Sequence, residues 1–341
     1  MAIRRKDTVL FENPPVIAAW AAAGGKKESE GPLAPGFDYL TQDAAFQEEA
    51  CANWEQAESF LQQKAVELCL RKAGISRKEV DLALAGDLQA QCTASNYTMR
   101  ALEIPFAGVY GACSTMAETL CLAASLAAGG IVHQVLAMTS SHFCAAERQF
   151  RTPLDYGAKR TPTAQWTATA AGTCLLRSPG QQGIPVLSVT FGRVQDYEVH
   201  DINNMGAAMM PAAASTLLRY FGATGTAPAD FDAIFTGDLG EVGSTLLHEQ
   251  MEKEGIPLPN HQDCGCLLYD VPNQKVQAGG SGPGCSAAVL CTHILPRLQA
   301  GNYRRVLFLA TGALMSQTTF LQGESIPGIA HCVELGGKGT V

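Results

Sequence analysis

Cys113 lies in "VYGACSTMAETLCLAASLAAGG", residues 109–130, where a strand-like run gives way to a long segment of small residues. A thiol at a helix N-terminus meets unpaired N–H groups and a partial positive charge, which favour the thiolate and can then serve an oxyanion. Acyl transfer through it also needs a base and donors aimed at the oxygen where charge develops. His142, leaving the apolar run that follows the helix, is the candidate base, with an ordinary polar histidine as the alternative. Backbone N–H groups at Gly111 to Ser114 and at Gly282 to Ser286, where two helices are predicted to begin, form a donor set for an anion and bring Gly284 and Ser286 into the site.

Asp87 and Asp238 occupy matching Gly-Asp-Leu motifs, each at the carboxyl end of a predicted strand, where open α/β sheets place ligands. Helix capping is the favoured reading of both. Arg148 and Arg151, in "ERQFR", lie beyond the predicted pocket mouth and can grip a carboxylate at two points; a solvated loop with a Glu147–Arg151 pair is the alternative. Cys264 and Cys266 beside His261 and Asp263 could be pictured as metal ligands, but no second pair at zinc spacing follows and no metal site is expected.

A repeat must position these residues. "DLALAGDLQA" at 81–90 answers "DAIFTGDLGE" at 232–241, and "GACSTMAETLCLAASLAAGG" answers "GPGCSAAVLCTHILPRLQAG". Cys113 lies 16 residues before Gly129, and Cys285 lies 16 before Gly301. Apolar strands follow in both halves, at 132–142 and 303–313, and runs such as Val306 to Ala310 predict mainly parallel sheets covered by helices on both faces. The helix after Cys113, with Glu118 as the only charge in 116–128, should lie buried between layers.

Elsewhere the pattern predicts an amphipathic helix over 43–73 ended by Gly74, a helical turn at 76–81, and strands at 167–178 and, in the second half, 328–335. Residues 143–165 lack sustained periodicity and read as a long functional loop. "MGAAMMPAAAST", 205–216, reads as core or subunit interface rather than ligand box.

The chain of 341 residues is 47% apolar, enough for a sizeable core in two domains or one large one. A formal charge of −8 with few clustered cations leaves no footprint for nucleic acid or anionic lipid. Neither a signal peptide nor a membrane-spanning run is expected, and the twelve cysteines fit a reducing, cytosolic setting.

Two βαβ-rich halves with a Cys opening a buried helix resemble the thiolase fold of the ketoacyl synthases. That resemblance implies an α/β fold of two pseudo-symmetric halves, 1–190 and 191–341, in a five-layer αβαβα sandwich. More specifically, "AGDLQAQCTASNY", "IPFAGVYGACSTMAETL", "TSSHFCAAERQFRTPLDYG", "MGAAMMPAAASTL", "FTGDLGEVGS", "AGGSGPGCSAAV" and "ATGALMS" resemble the stage V sporulation protein AD family of spore-forming bacteria. "FENPPV" and "KKESEGPL" extend the likeness toward the start.

The resemblance implies a subunit of the spore's machinery for dipicolinic acid uptake and release. Such a subunit binds pyridine-2,6-dicarboxylate, free or as its calcium chelate, and sits on the spore inner membrane through membrane partners. No cofactor is implied, calcium entering only with the chelate, where Asp87 and Asp238 are candidate oxygen ligands. A homodimer is implied by the fold family, with a partner-bound monomer as the alternative.

In the synthase III branch the partners of the Cys lie in a His-Gln-Ala-Asn run and a Gly-Asn-Thr-Ser turn. Aligned by strand and repeat, the first falls on "TGDLG", with Gly237 at the His and Gly240 near the Asn, and the second on "GPGCSAA", with Gly284 at the other Asn. Removing one oxyanion donor costs about 10²–10³ in rate, so the expectation is a non-catalytic binder with Cys113 lining its pocket. A structural thiol, a synthase-like acyltransferase using Cys113, and a scaffold with a vestigial pocket are the alternatives.

Overall fold

The computed structural model describes residues 2–150 and 160–337. Ten strands carry the architecture. The first half contributes β1 (Val16–Gly24), β2 (Leu82–Gly86), β3 (Phe106–Gly108), β4 (Gln134–Ser141) and β5 (Ala170–Arg177). The second contributes β6 (Ile184–Thr190), which lies before the expected boundary at 190/191, β7 (Ala233–Thr236), β8 (His261–Asp263), β9 (Arg305–Ala313) and β10 (Gly328–Gly336). Hydrogen bonding orders them β3-β2-β4-β5-β1 and β8-β7-β9-β10-β6, so the repeat seen in the sequence is a repeat of topology. The two sets meet where Ile17 and Val16 of β1 pair with Ile184 and Pro185 of β6.

The sheets are mixed, not mainly parallel. Pairs linked by a crossover helix, β2–β3, β2–β4, β7–β8 and β7–β9, are parallel. β4–β5, β1–β5, β9–β10 and β6–β10 are antiparallel. Buried apolar runs reveal that both faces are covered, but they do not encode direction, which depends on whether the connection crosses over.

Helices fill three layers. On the outside lie α1 (Trp54–Ala73) and α2 (Thr93–Leu102) over the first sheet, with α5 (Met205–Thr224) and α6 (Gly240–Lys253) over the second. Between the sheets run α3 (Thr115–Ala128), which touches β4 as well as β9 and β10, and α7 (Pro283–Val289), which touches β4 and β5. Small residues let these two backbones approach: Ala117, Ala123, Ala124, Ala127, Ala287 and Ala288 are all fully buried. The five-layer αβαβα arrangement follows.

Two boundaries differ from expectation. Helix α1 starts at Trp54, after Asn53 caps Gln56, and ends at Gly74 in the left-handed conformation (φ 68°). Residues 43–53 stay out of it because the Asp43 carboxylate accepts from the N–H groups of Ala45, Gln47 and Glu48, a local turn that competes with helix. The stretch read as one long loop begins instead with helix α4 (Phe143–Phe150).

Beneath α1 lies a buried polar knot. Glu58 accepts from Gln89 Nε2 and Ser140 Oγ, both at 2.7 Å, and Gln62 Nε2 donates to Ser95 Oγ and Ser140 Oγ. Burial, and next the neighbouring Asp87 charge, push the Glu58 carboxyl up to about 8 from an ordinary value of 4.5. Between those values the folded chain keeps a proton that the unfolded chain has released, so this group's contribution to stability falls as pH rises. Glu58→Gln is therefore expected to be the more stable chain near pH 9, by a few kcal/mol, with the gap closing toward about pH 5. Urea denaturation at both pH values checks this, and a gap independent of pH would contradict it.

Candidate functional site

The thiol is presented by a strained turn. Ala112, one residue ahead, adopts φ +50°, rare for a residue with a Cβ, and Ala112–Ser114 form a 3-10 turn that leads into α3. Cys113 is 9% exposed and forms part of the floor of a cleft of about 730 Å³, measured with its open mouth.

Asp238, at the end of β7, approaches this thiol from behind. Its carboxylate accepts from Gly282 N–H at 2.9 Å, Ser281 Oγ at 3.2 Å and Thr311 Oγ1 at 3.0 Å. It thus holds the turn that opens α7, and burial pushes its carboxyl up to about 7. Burial first, and then the Asp238 charge, push the Cys113 thiol well above its usual value. The helix-terminal field that would favour a thiolate is outweighed by an adjacent anion in a desolvated site. Asp238→Asn is expected to speed alkylation of Cys113 by iodoacetamide about tenfold near pH 8, because removing the anion lowers the thiol's pKa. Peptide mapping reads the rate site by site; no acceleration would show that Asp238 does not govern the thiol.

Of the three glycines that the synthase resemblance sets at partner positions, Gly284 and Gly240 are closed to side chains and Gly237 is tight. A Cβ on Gly284 would lie 2.4 Å from the Ala170 carbonyl oxygen and 2.6 Å from Ser141 Oγ. One on Gly240, whose φ is +64°, would lie 2.3 Å from the Ala278 carbonyl oxygen and 2.9 Å from Gln165 Nε2. One on Gly237 would lie 3.0 Å from Ala310 Cα and 3.3 Å from Ser286 Cβ.

Of the candidate ligand-binding residues, Cys113 alone lines the cleft among the described residues. Asp87 faces the first turn of α2, where it accepts from Ser95 N–H, Ser95 Oγ and Gln89 N–H. His142 is 3% exposed and tilted against Phe46; burial lowers it to about 4, so it stays neutral, and its Nδ1 has no partner among the described residues. Arg148 does not reach the cleft: it lies half exposed over Trp54 and pairs with Glu55. Ser286 is fully buried and donates to the Pro283 carbonyl oxygen, while Gly284 N–H donates to Ser141 Oγ. Arg151 lies outside the described residues.

The cleft's charge comes from Arg160, which sequence reasoning passed over, and from Glu147, which it considered only as a partner for Arg151. Arg160, 13% exposed, sits 3.3 Å from Glu147, donates to the Gln165 carbonyl oxygen, and lies over the rings of Phe143 and Trp166. Those rings stack at 3.9 Å. Met205 and Met209 of α5, with Phe150 and Met315, supply apolar walls. The stretch 143–165 contains Glu147, Phe150, Arg160 and Gln165, so its irregular, charged and aromatic composition was the available signal. Asp263 accepts from the N–H groups of Leu239, Gly240 and Cys266, and among the described residues no cluster of His, Cys, Asp and Glu is placed to hold a metal ion.

Comparison with solved structures bears on the fold. The chain superposes on the 3-oxoacyl-[acyl-carrier-protein] synthase III of Aquifex aeolicus VF5 with a TM-score of 0.56 at 11% identity, covering 94% of this chain and 99% of that one. An OleA variant of Xanthomonas campestris gives 0.60 at 13% identity, covering 96% and 99%. A tetronic acid condensing enzyme, AbyA1, gives 0.61 at 18% identity, covering 94% and 100%. The fold is thiolase-like. Among the described residues no helix is long and apolar enough to cross a membrane.

Comparison by sequence is more specific. Stage V sporulation protein AD of Bacillus subtilis (strain 168) is 42% identical over 335 residues, 98% of this chain and 97% of that protein. The family model for stage V sporulation protein AD matches residues 5–336, and the chain belongs to that family of sporulation proteins.

Proposed function

We propose that this chain binds pyridine-2,6-dicarboxylate, free or as its calcium chelate, in the cleft over Cys113, without a covalent step. In this reading it works with membrane subunits in moving the ligand into or out of the spore. The observation that carries the proposal is the cleft itself: Cys113 forms part of its floor, Arg160, Met205, Met209 and Phe150 line its walls, and the buried Asp238 carboxylate raises the pKa of the thiol. Nucleophilic attack needs the opposite electrostatics, whereas ligand binding needs only the shape and the wall groups.

Those groups suit a flat aromatic dianion. Arg160 brings a positive charge to the cleft wall, held there by Glu147 and the Gln165 carbonyl oxygen, while Met205, Met209 and Phe150 offer apolar and polarizable surface to a ring. The positions that the synthase resemblance assigns to oxyanion donors, Gly237, Gly240 and Gly284, hold no side chain.

Intact-mass measurement after incubation with acyl-CoA is expected to show no adduct, and calorimetry to show binding of the dicarboxylate. A stoichiometric adduct lost in Cys113→Ser would overturn the non-covalent reading. Calorimetric silence with every form of the ligand would leave the cleft as a vestige in a scaffold subunit.

A further inference from the structure

Helix α4 brings three residues to the cleft, Ala146, Glu147 and Phe150, and through Glu147 it also braces Arg160. Spaced three and four apart, those residues share one face of the helix, while Arg148 points the other way and Gln149 lies on the flank. A helix of eight residues does not hold its place by propensity, so its side-chain contacts decide where this wall stands. The Arg148–Glu55 pair is one such contact, but Arg148 is half exposed, and an ion pair in that setting is worth little.

Gln149 makes the more specific contact. Its Nε2 donates to the Leu88 carbonyl oxygen at 3.0 Å, and its Oε1 accepts from Ala90 N–H at 2.8 Å. Reversing the amide would set oxygen against oxygen and N–H against N–H, so both bonds form only in this orientation. The far side of the clamp is anchored. Asp87 accepts from Gln89 N–H and Ser95 N–H, Gln89 Nε2 donates to the buried Glu58, and Tyr110 OH donates to the same Leu88 carbonyl oxygen. Gln91 and Cys92 follow with φ of +59° and +53°, values that persist only where the surroundings determine them. Leu88 itself lines the cleft. One amide therefore ties the short helix that carries one cleft wall to the anchored turn that carries another.

We propose that Gln149 is a positioning residue for the cleft: its two bonds to the 88–90 backbone set the distance between the Leu88 wall and the Glu147–Arg160 pair, and with it the affinity for a carboxylate ligand. Gln149 acts through α4, without touching the ligand. The proposal rests on the dicarboxylate reading above for the identity of the ligand, and on the hydrogen bonds alone for the clamp.

Gln149→Met keeps the length of the side chain and loses both bonds. On the whole chain, calorimetry is expected to show pyridine-2,6-dicarboxylate binding about tenfold more weakly, with a melting temperature within about 3 °C of the parent. Gln149→Glu separates the clamp from packing. Near pH 8 its carboxylate still accepts from Ala90 N–H but turns an oxygen on the Leu88 carbonyl, and it should bind as weakly as Gln149→Met. Protonated, it donates there again, and a carboxyl aimed at a carbonyl oxygen titrates above the ordinary value of about 4.3. Its deficit, measured against the parent at the same pH so that titration of the ligand cancels, is therefore expected to shrink to within about threefold near pH 4.5. A Gln149→Met chain that binds within about threefold of the parent near pH 8, or a Gln149→Glu deficit that is the same at both pH values, overturns the proposal.

Amide hydrogen exchange reads the clamp without any ligand. The backbone N–H groups of α4 are expected to exchange about tenfold faster in Gln149→Met than in the parent, with the protection of β4 unchanged. A parent chain that does not bind the dicarboxylate defeats the dicarboxylate reading, a failure visible before any variant is made, and exchange then decides the clamp by itself. Amides of α4 that exchange no faster in Gln149→Met than in the parent overturn it.

Discussion

Arg160→Ala is expected to weaken binding of pyridine-2,6-dicarboxylate about 100-fold, the scale of losing a charge-assisted, two-point contact in a largely desolvated site. The guanidinium is pre-organised: Glu147 and the Gln165 carbonyl oxygen take part of its donor set, and the Phe143 and Trp166 rings confine its plane. Little rotamer freedom remains to be lost when a carboxylate arrives. The truncation also leaves Glu147 facing the incoming dianion, so part of the loss is repulsion. Glu147→Gln in the Arg160→Ala background is therefore expected to recover affinity partially, and a double-mutant cycle separates the two contributions. Arg160→Lys, which keeps the charge and loses the fork, should fall between. Arg148→Ala is the matched control, because Arg148 pairs with Glu55 away from the cleft. Calorimetry on folded protein reads these four together with Glu147→Gln alone, which closes the cycle, and an Arg160→Ala chain that binds within about threefold of the parent would remove Arg160 from the site.

The contrast between Arg148 and Arg160 shows what the sequence disclosed and what it withheld. Both lie in or beside the irregular stretch after β4, and both are adjacent to a Glu or within reach of one. Which arginine reaches the cleft depends on the helical phase of α4 and on the parallel pairing of Trp166–Thr167 with Gly280–Ser281, a contact spanning more than a hundred residues. Nothing local encodes it. The repeat was legible because each half must solve the same packing problem. Matching strands, buried helices and Gly-Asp-Leu turns therefore recur at matching places, and β1-to-β5 and β6-to-β10 share one order.

Strand direction was less legible, since burial on both faces constrains composition and leaves orientation free. Asp87 and Asp238 have related places in the repeat and different surroundings. One faces the first turn of α2; the other holds the start of α7 and confronts the thiol. Met205 and Met209 read as core from their spacing, and Met209 is fully buried, yet both also form cleft wall. A side chain at a cavity edge is packed on one side and open on the other, and helical periodicity reports only the packed side.

Gly284→Asn, which restores the residue type that the synthase resemblance places there, is expected to destabilise the fold by more than about 4 kcal/mol. The obstacle is backbone. A Cβ at this position would lie 2.4 Å from the Ala170 carbonyl oxygen and 2.9 Å from Ser141 N. Ser141 and Ala170 are opposite partners in the β4–β5 ladder, so neither can withdraw without breaking sheet register. Gly284→Ala isolates this steric effect from the amide and should cost nearly as much. Gly237→Ala, whose Cβ would come no closer than 3.0 Å to Ala310 Cα, should cost about 1–3 kcal/mol and remain folded. Thermal unfolding of the three variants, with yield of folded chain where no transition is seen, orders them Gly284→Asn, Gly284→Ala, Gly237→Ala from worst to mildest. A Gly284→Asn chain with the parental melting temperature would mean that β4 and α7 can separate, and that chain should then be assayed for an acyl adduct on Cys113. If the predicted order holds, the β4–β5 ladder and α7 leave no space for a side chain at position 284, and a donor could not be introduced there by one substitution.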